Sequence, residues 1–107
     1  MNTKHYILIL TTTPTKEEGE RIGEILVTEK KAACVSIIPN LSSTFSYEGK
    51  IETSSEAQLL IKTKRKLFSD VASLIKANHS YEIPEIIALP IIDGSSSYLK
   101  WIDESLK

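Results

Sequence analysis

Tyr-Ile-Leu-Ile-Leu occupies residues 6–10 and is a continuously apolar run of residues that favour strands. An uninterrupted apolar strand is typical of a central position in a sheet that is covered on both faces. Thr13-Pro14-Thr15 follows it, and the residue before a proline is held in an extended conformation, which stops the strand. We therefore predict a central first strand.

A helix is predicted directly after this strand. Thr15 and Glu18 are three residues apart and form a capping-box pattern, and apolar residues then recur on one side up to about Lys31. Residues 32–38 suit a buried strand, and Pro39-Asn40 are expected to interrupt it with a turn. The chain thus begins as strand, helix and strand.

A long hairpin is predicted in the middle of the chain. Gly49-Lys50 is the reversal between extended residues 42–48 and 51–63. The thirteen residues after the reversal span about 43 Å if extended, whereas a 100-residue domain has a radius of gyration of about 13 Å. The tip should therefore project beyond the domain. The alternative is that Ser54-Ser55 break the strand and the tip folds back as a loop.

The second half of the chain completes the pattern. Apolar residues recur at helical spacing over 67–79, residues 85–92 form another apolar strand, and Ser95-Ser96-Ser97 cap a last short helix. This is the order of the ferredoxin-like split βαβ sandwich, an α+β fold, here with a long protruding hairpin and an extra C-terminal helix. Other two-layer α+β packings share the order. We predict a single domain over residues 1–107.

Composition narrows the classes of protein. Hydrophobic residues make up 41% and charged residues 25%, as in an ordinary globular domain, and no segment approaches the roughly 20 apolar residues of a membrane span. Thirteen basic and fourteen acidic residues leave a formal charge of −1, which argues against nucleic acid as a partner. With one cysteine, Cys34, and no signal-peptide pattern in residues 1–5, a cytoplasmic location is expected.

Self-assembly is expected from the hairpin. Its far part carries Phe45, Tyr47 and Ile51 and would expose an unpaired strand edge, which invites pairing with another chain. We predict that the hairpin and the terminal helix dock on neighbouring copies in a closed ring, because open contacts would grow into fibres.

A collinear series of segments resembles the CutA divalent-cation-tolerance family. The series covers nearly the whole chain and consists of Ala32-Ala33-Cys34-Val35, Ile37-Ile38-Pro39, Tyr47-Glu48-Gly49-Lys50-Ile51, Leu59-Leu60-Ile61-Lys62-Thr63, His79-Ser80-Tyr81-Glu82, Pro84-Glu85, Ile87-Ala88-Leu89-Pro90 and Tyr98-Leu99-Lys100-Trp101. The resemblance implies a ferredoxin-like subunit in a tight homotrimer, related in architecture to the PII signalling proteins, with clefts between subunits. Members are associated with tolerance to divalent metals, copper above all, and animal relatives with anchoring a membrane enzyme.

The resemblance implies copper as the first metal to consider, and copper favours thiolate and imidazole ligands. The candidates here are His79 and Cys34, with His5 as a third. In some members the proposed ligands are a cysteine at the end of the first strand and two adjacent histidines. The matching positions of this chain are Thr11, Asn78 and His79, so one of the three ligands is kept. The structural alternative is that Cys34 is a small core residue and that His79 satisfies the end of a helix.

Ligand-site candidates come from the motif positions that lie near the intersubunit clefts of the family. They are Glu48, Lys62, His79, Tyr81, Glu82 and Glu85. Together they would hold a small polar ligand. Alternatively, they would form hydrogen bonds and ion pairs that fix the trimer, with Glu48 and Lys62 satisfying one another. Phe45, Tyr47 and Trp101 are the expected trimer contacts.

An enzyme is not expected. The chain has no GxSxG, no glycine-rich phosphate loop and no cysteine paired with a histidine by motif. The leading hypothesis is a homotrimeric CutA-like divalent-cation-tolerance protein with copper or another divalent metal as its ligand. The alternatives are a PII-like sensor of a small molecule in the intersubunit clefts and a non-catalytic scaffold for a partner protein.

Overall fold

A computed structural model describes residues 5–107 of the chain. Within that range the elements are β1 (Tyr6–Thr13), α1 (Lys16–Thr28), β2 (Cys34–Tyr47), β3 (Lys50–Lys64), α2 (Phe68–Asn78), β4 (Ile87–Pro90) and α3 (Ser96–Ser105). The strands form an antiparallel sheet in the order β2-β3-β1-β4. This confirms the predicted ferredoxin-like α+β fold with an extra C-terminal helix.

Helix α1 begins as its sequence predicts and ends slightly earlier. The Thr15 hydroxyl accepts a hydrogen bond of 3.1 Å from the Glu18 backbone N–H, which satisfies a free donor of the first turn. The helix ends at Thr28 instead of near Lys31, because Lys30 adopts a left-handed conformation with φ of 59°. The chain then turns back toward β2.

The hairpin of β2 and β3 projects as predicted. Its pairing runs without a break in β3 from Cys34 opposite Lys62 to Tyr47 opposite Lys50, so Ser54-Ser55 do not end the strand. The molecule consequently measures 46 × 25 × 23 Å along its principal axes. The alternative of a folded-back loop is wrong.

Pro39-Asn40 do not end their strand. They lie within β2, where the pairing with β3 shifts register between Ile38 and Leu41, and Asn40 has a φ of 58°. The predicted interruption is therefore a β-bulge. Two properties allow it: β2 is at the edge of the sheet, where the missing N–H of Pro39 costs little, and asparagine tolerates the left-handed conformation.

The main core lies between one face of the sheet and helices α1 and α2. It is made of Ile7, Ile9, Ile22, Leu26, Ala32, Leu59, Ile61, Val71 and Ile75. Glycine at position 23 favours the close packing of α1 on β2, because a Cβ atom there would lie 3.2 Å from Val35 Cγ1. Side chains alternate along β1, so Tyr6 lies on the other face, where it packs with Leu99 and Ile102 of α3.

The second face of the sheet is only partly covered. Helix α3 covers the end near Tyr6, while the rest carries a group of half-buried or exposed apolar side chains that we call the open sheet face: Leu8, Leu10, Ile38, Leu60, Ile87 and Leu89. Ile87 and Leu89 are 51% and 43% exposed. The cover predicted for both faces of β1 is therefore incomplete within residues 5–107. In the same range, no helix is both long and apolar enough to cross a bilayer.

The bulge yields a stability test. Asn40→Val should lower the free energy of unfolding by about 1–2 kcal/mol, because a β-branched residue is strained in the left-handed conformation, whereas Asn40→Gly should not lower it. Ser42→Val, at an exposed paired position of the same strand, is the control and should change it by less than about 0.5 kcal/mol. Urea unfolding at one fixed protein concentration measures all three. Equal losses for the valine and glycine variants of Asn40 would contradict this account.

Candidate functional site

His79 is the first residue after α2, and its side chain is fully buried. The ring Nε2 lies 2.7 Å from the Thr12 carbonyl oxygen, and Nδ1 accepts a hydrogen bond of 3.0 Å from the Tyr81 backbone N–H. A carbonyl oxygen can only accept, so Nε2 carries the proton. Both ring nitrogens of the neutral imidazole are therefore engaged.

Glu18 connects the start of α1 to the segment after α2. One of its carboxylate oxygens accepts hydrogen bonds from the backbone N–H and the hydroxyl of Ser80, at 2.9 and 3.0 Å. The same oxygen lies 3.4 Å from Nδ1 of His79. Arg21, one turn further along α1, donates to the Asn78 carbonyl oxygen at 3.0 Å. These contacts hold the backbone on both sides of His79 against α1.

Tyr81 extends this group toward the hairpin. Its hydroxyl donates a hydrogen bond of 2.7 Å to Glu56, a carboxylate that is only 8% exposed, and its ring lies 4.9 Å from the ring of His79. Burial, and then the hydrogen bond to Glu56, raises the pKa of Tyr81 to about 12. We call Thr12, Glu18, Glu56, His79 and Tyr81 the His79 cluster.

Four of the six predicted cleft residues fall outside the His79 cluster. Glu82 and Glu85 are exposed, and neither side chain makes a hydrogen bond or an ion pair with the residues that the structure describes. Glu82 instead lines a cavity of about 510 Å³ together with Phe68 and Ile83. The sequence did not point to Glu18 and Glu56 as site residues, because only the fold brings them beside His79.

Glu48 and Lys62 do not satisfy one another within a chain. Glu48 is exposed in the hairpin turn with a φ of 51°, and Lys62 lies twelve residues beyond Lys50 on β3, about 40 Å away for an extended strand. Lys62 instead lies 2.8 Å from the hydroxyl of Ser36. Both residues belong to one extended hairpin, so a contact between them would have to join two copies, and the predicted ion pair in an intersubunit cleft stays a prediction.

Cys34 and His79 also lie apart. Cys34 is half-buried at the start of β2, with Sγ 3.8 Å from the Lys62 ammonium, and it is not part of the core. Lys62 pairs with Leu8, whereas His79 contacts Thr12, four residues or about 13 Å further along β1. Over residues 5–107, no group of three or more histidine, cysteine or acidic side chains is arranged to hold a metal ion.

The two positions that match further copper ligands serve the fold. Thr11 is fully buried in β1, and Asn78 donates a side-chain hydrogen bond of 2.8 Å to the Leu74 carbonyl oxygen of its own helix. His5 is exposed beside β1.

The expected contact residues of an assembly are all exposed. Phe45 and Tyr47 are 43% and 60% exposed near the hairpin tip. Trp101 is 45% exposed on α3, with its ring 5.4 Å from that of Tyr98. These aromatic side chains are available to a second copy.

The fold defines a ferredoxin-like α+β subunit with an extended hairpin, and comparison with known proteins gives its family. The family model described as "CutA1 divalent ion tolerance protein" matches residues 7–105. The chain belongs to this family, which confirms the resemblance.

Individual relatives agree over most of the chain. This chain is 42% identical over 101 residues to "Protein CutA, chloroplastic" of Arabidopsis thaliana. The match covers 94% of this chain and 56% of that protein. The crystal structure of CutA1 from Oryza sativa superposes with a TM-score of 0.95 at 41% identity, over 100% of this chain and 98% of that chain. The structure of the periplasmic divalent cation tolerance protein CutA from Archaeoglobus fulgidus gives a TM-score of 0.93 at 43% identity, over 95% of this chain and 99% of that chain. The chain thus spans little more than half the length of the Arabidopsis protein.

The expected cytoplasmic location is wrong. The Archaeoglobus structure is named as that of a periplasmic protein, and the Arabidopsis relative is named as chloroplastic. The expectation depended on a lone cysteine and on the composition of residues 1–5. Neither property distinguishes these compartments, because a domain that needs no disulfide can fold in any of them.

The buried tyrosines Tyr6 and Tyr81 should both ionise at unusually high pH. Burial raises the pKa of Tyr6 as well as Tyr81 to about 12, so each phenol stabilises the fold fully below about pH 10 and loses that contribution as the pH rises toward 12. Phenolate absorbance should show two tyrosines ionising near pH 12, and Tyr81→Phe should remove one of them. The same variant should cost about 1–3 kcal/mol of stability at neutral pH, because the buried Glu56 carboxylate loses a donor.

Tyr47→Phe is the matched control for this titration, since Tyr47 is exposed at the hairpin tip. It should leave both late ionisations and the neutral-pH stability unchanged. A wild-type titration without a transition near pH 12 would contradict the pKa values, and an unaltered stability of Tyr81→Phe would contradict the role of its hydrogen bond.

Proposed function

We propose that this protein acts as a homotrimer in divalent-cation tolerance and that it is a binding protein without catalytic activity. The observation that carries the proposal is the open sheet face, where the apolar second side of β1 is left uncovered by the described part of the chain. Contiguous apolar patches on a folded domain favour contact with another protein. A second copy is the partner that is always present.

The open sheet face has the composition of a subunit interface. Leu8, Leu10 and Leu60 lie side by side at its centre, since Leu10 pairs directly with Leu60 in the sheet. Full burial of one such side chain is worth about 1.5–3 kcal/mol, while association costs about 4–15 kcal/mol of entropy. Because these residues are already half-buried, the face alone would give weak association, and further contacts are needed.

The hairpin supplies these contacts in the proposed assembly. Strand β2 is at the edge of the sheet, and its far end carries the exposed rings of Phe45 and Tyr47. Docking on a neighbour would cover those rings and protect the strand edge. Trp101 on α3 is a further contact in this arrangement. Closed symmetry prevents growth into fibres, and the number three follows the architecture that the family resemblance implies.

A binding role is favoured over a catalytic one because the polar side chains that could act in catalysis are already hydrogen-bonded or lie far apart. The donors and acceptors of His79 and Tyr81 are engaged with one another, with Thr12 and with Glu56. The thiol of Cys34 lies near Lys62 and about 13 Å or more from His79, so these two residues do not form a nucleophile and base pair within one chain. This arrangement supports a structural role for the His79 cluster.

The oligomeric state tests the proposal directly. The mass in solution at micromolar concentration should be three times the chain mass of 11.9 kDa. Leu60→Asp should raise the dissociation constant of the assembly at least about tenfold, because it places an unpaired carboxylate at the centre of the open sheet face. Sedimentation velocity over a dilution series measures both. A wild-type monomer would overturn the proposal.

Ile83→Asp is the matched control for the interface. Ile83 is 88% exposed in the connection between α2 and β4, away from the open sheet face, so this variant should sediment like the wild type. Equal dissociation of the two variants would remove the open sheet face from the interface. Tyr47→Ser, tested in the same series, should weaken association if the hairpin tip docks on a neighbour.

Copper binding stays a prediction. The imidazole of His79 and the thiol of Cys34 do not form a copper centre within one chain. His79 offers no free ring nitrogen, and Cys34 stands apart from it next to a lysine. Soft donors would have to come from more than one copy to build a complete site. Cys34 is the more available of the two candidates, since it is half-buried on the side of the sheet that the proposed assembly would cover.

A copper titration separates the two candidates. Cys34→Ser should weaken copper binding by about tenfold or more, and His79→Ala should leave it unchanged, because the imidazole is already engaged on both nitrogens. Calorimetric titration of the intact protein with each variant measures the affinities. Loss of binding in His79→Ala alone would contradict the structural role of that ring. Wild-type affinity no tighter than that of an unrelated thiol protein would remove copper from the proposed function.

A further inference from the structure

A second polar site lies at the end of the sheet away from the hairpin tip. It is a cavity of about 500 Å³ between the end of α1, the end of β3 and α3. Six lysines line it, and we call it the lysine cavity: Lys30, Lys31, Lys64, Lys66, Lys100 and Lys107. Three acidic residues also line it, which leaves a local formal charge of +3 in a chain whose total is −1.

Part of this basic charge is used inside the fold. The Lys64 ammonium forms an ion pair of 2.6 Å with Asp103, and the Tyr6 hydroxyl donates to the same carboxylate at 2.7 Å. The hydrogen bonds from Lys64 and then Tyr6 lower the pKa of Asp103, so its carboxylate is ionised and fully engaged. Lys31 pairs with Asp70 at 3.0 Å. These contacts fix one wall of the cavity and neutralise its most buried acid.

Lys66 and Lys100 differ from the lysines that are paired inside the fold. Across residues 5–107, the side-chain ammonium groups of Lys66 and Lys100 make neither an ion pair nor a hydrogen bond. Lys100 lies in the middle of α3, where the helix dipole does not stabilise a positive charge. Lys66 lies just before Phe68, the first residue of α2, where the dipole disfavours a cation. Neither position is explained by stabilisation of a helix end.

We infer that the lysine cavity binds a small, multiply charged anion that carries phosphate groups. Lysine is a common phosphate ligand that acts as a compact point charge, and several lysines around one concave space attract a polyanion more strongly than lysines dispersed over a surface. A volume of about 500 Å³ is within the usual size of small-molecule sites. This site is distinct from the His79 cluster and does not depend on a metal.

Inorganic tripolyphosphate is a suitable probe for this site. Calorimetric titration of the full chain in about 50 mM salt should give a saturable isotherm with one site per chain. The double variant Lys66→Ala/Lys100→Ala should weaken binding at least about tenfold, because it removes the two ammonium groups of the cavity that make no ion pair or hydrogen bond with residues 5–107. Circular dichroism and thermal unfolding check that the variant is folded, which is expected since both side chains are exposed.

The control is Lys16→Ala/Lys76→Ala, which removes the same total charge from exposed positions outside the cavity. It should retain the wild-type affinity within about twofold. Equal weakening in the two double variants, or no wild-type binding at about millimolar probe, would overturn the inference. Citrate provides the second arm: weaker binding than tripolyphosphate supports a phosphate ligand, whereas equal or tighter binding would overturn that assignment.

Discussion

Strand β1 requires apolar cover on both sides, and most of the structure follows from how that requirement is met. Ile7 and Ile9 are buried under α1 and α2, while the alternate side chains Tyr6, Leu8 and Leu10 project to the other face. Helix α3 covers Tyr6 alone among these three. An apolar side chain gains stability with each part of its surface that is buried, so the proposed assembly would cover the side of β1 that α3 leaves open.

The polar groups at the two ends of the sheet differ in the way their charge is balanced. In the His79 cluster, buried carboxylates and an imidazole are hydrogen-bonded to one another, as buried polar groups must be to avoid a large desolvation cost. In the lysine cavity, Lys66 and Lys100 extend into space that the described residues leave open, and the positive charge exceeds the negative. The hydrogen bonds of the cluster support the structural role proposed for it, and the cavity is the place where an external anion would improve the electrostatic balance.

The family is named for tolerance to divalent ions, yet over residues 5–107 the cysteine and the two histidines are not gathered in one place. Cys34 and His79 are separated by the sheet register, and neither Thr11 nor Asn78 carries a thiol or an imidazole. A family can keep its fold while the chemistry of individual positions changes, because packing depends on many residues and a metal site on very few.

Local patterns in the sequence determined the order of the elements, the cap at Thr15 and the length of the hairpin. Each of these depends on residues close together in the chain: the period of apolar positions, a hydroxyl three residues from an N–H, and a glycine at a reversal. The tertiary structure alone decided that Pro39-Asn40 form a bulge, that Glu18 and Glu56 surround His79, that Glu48 stands far from Lys62, and that lysines from α1, β3 and α3 share one cavity. Those relations depend on strand register and helix docking, which bring together residues that are distant in sequence and leave no local pattern by which they could be predicted.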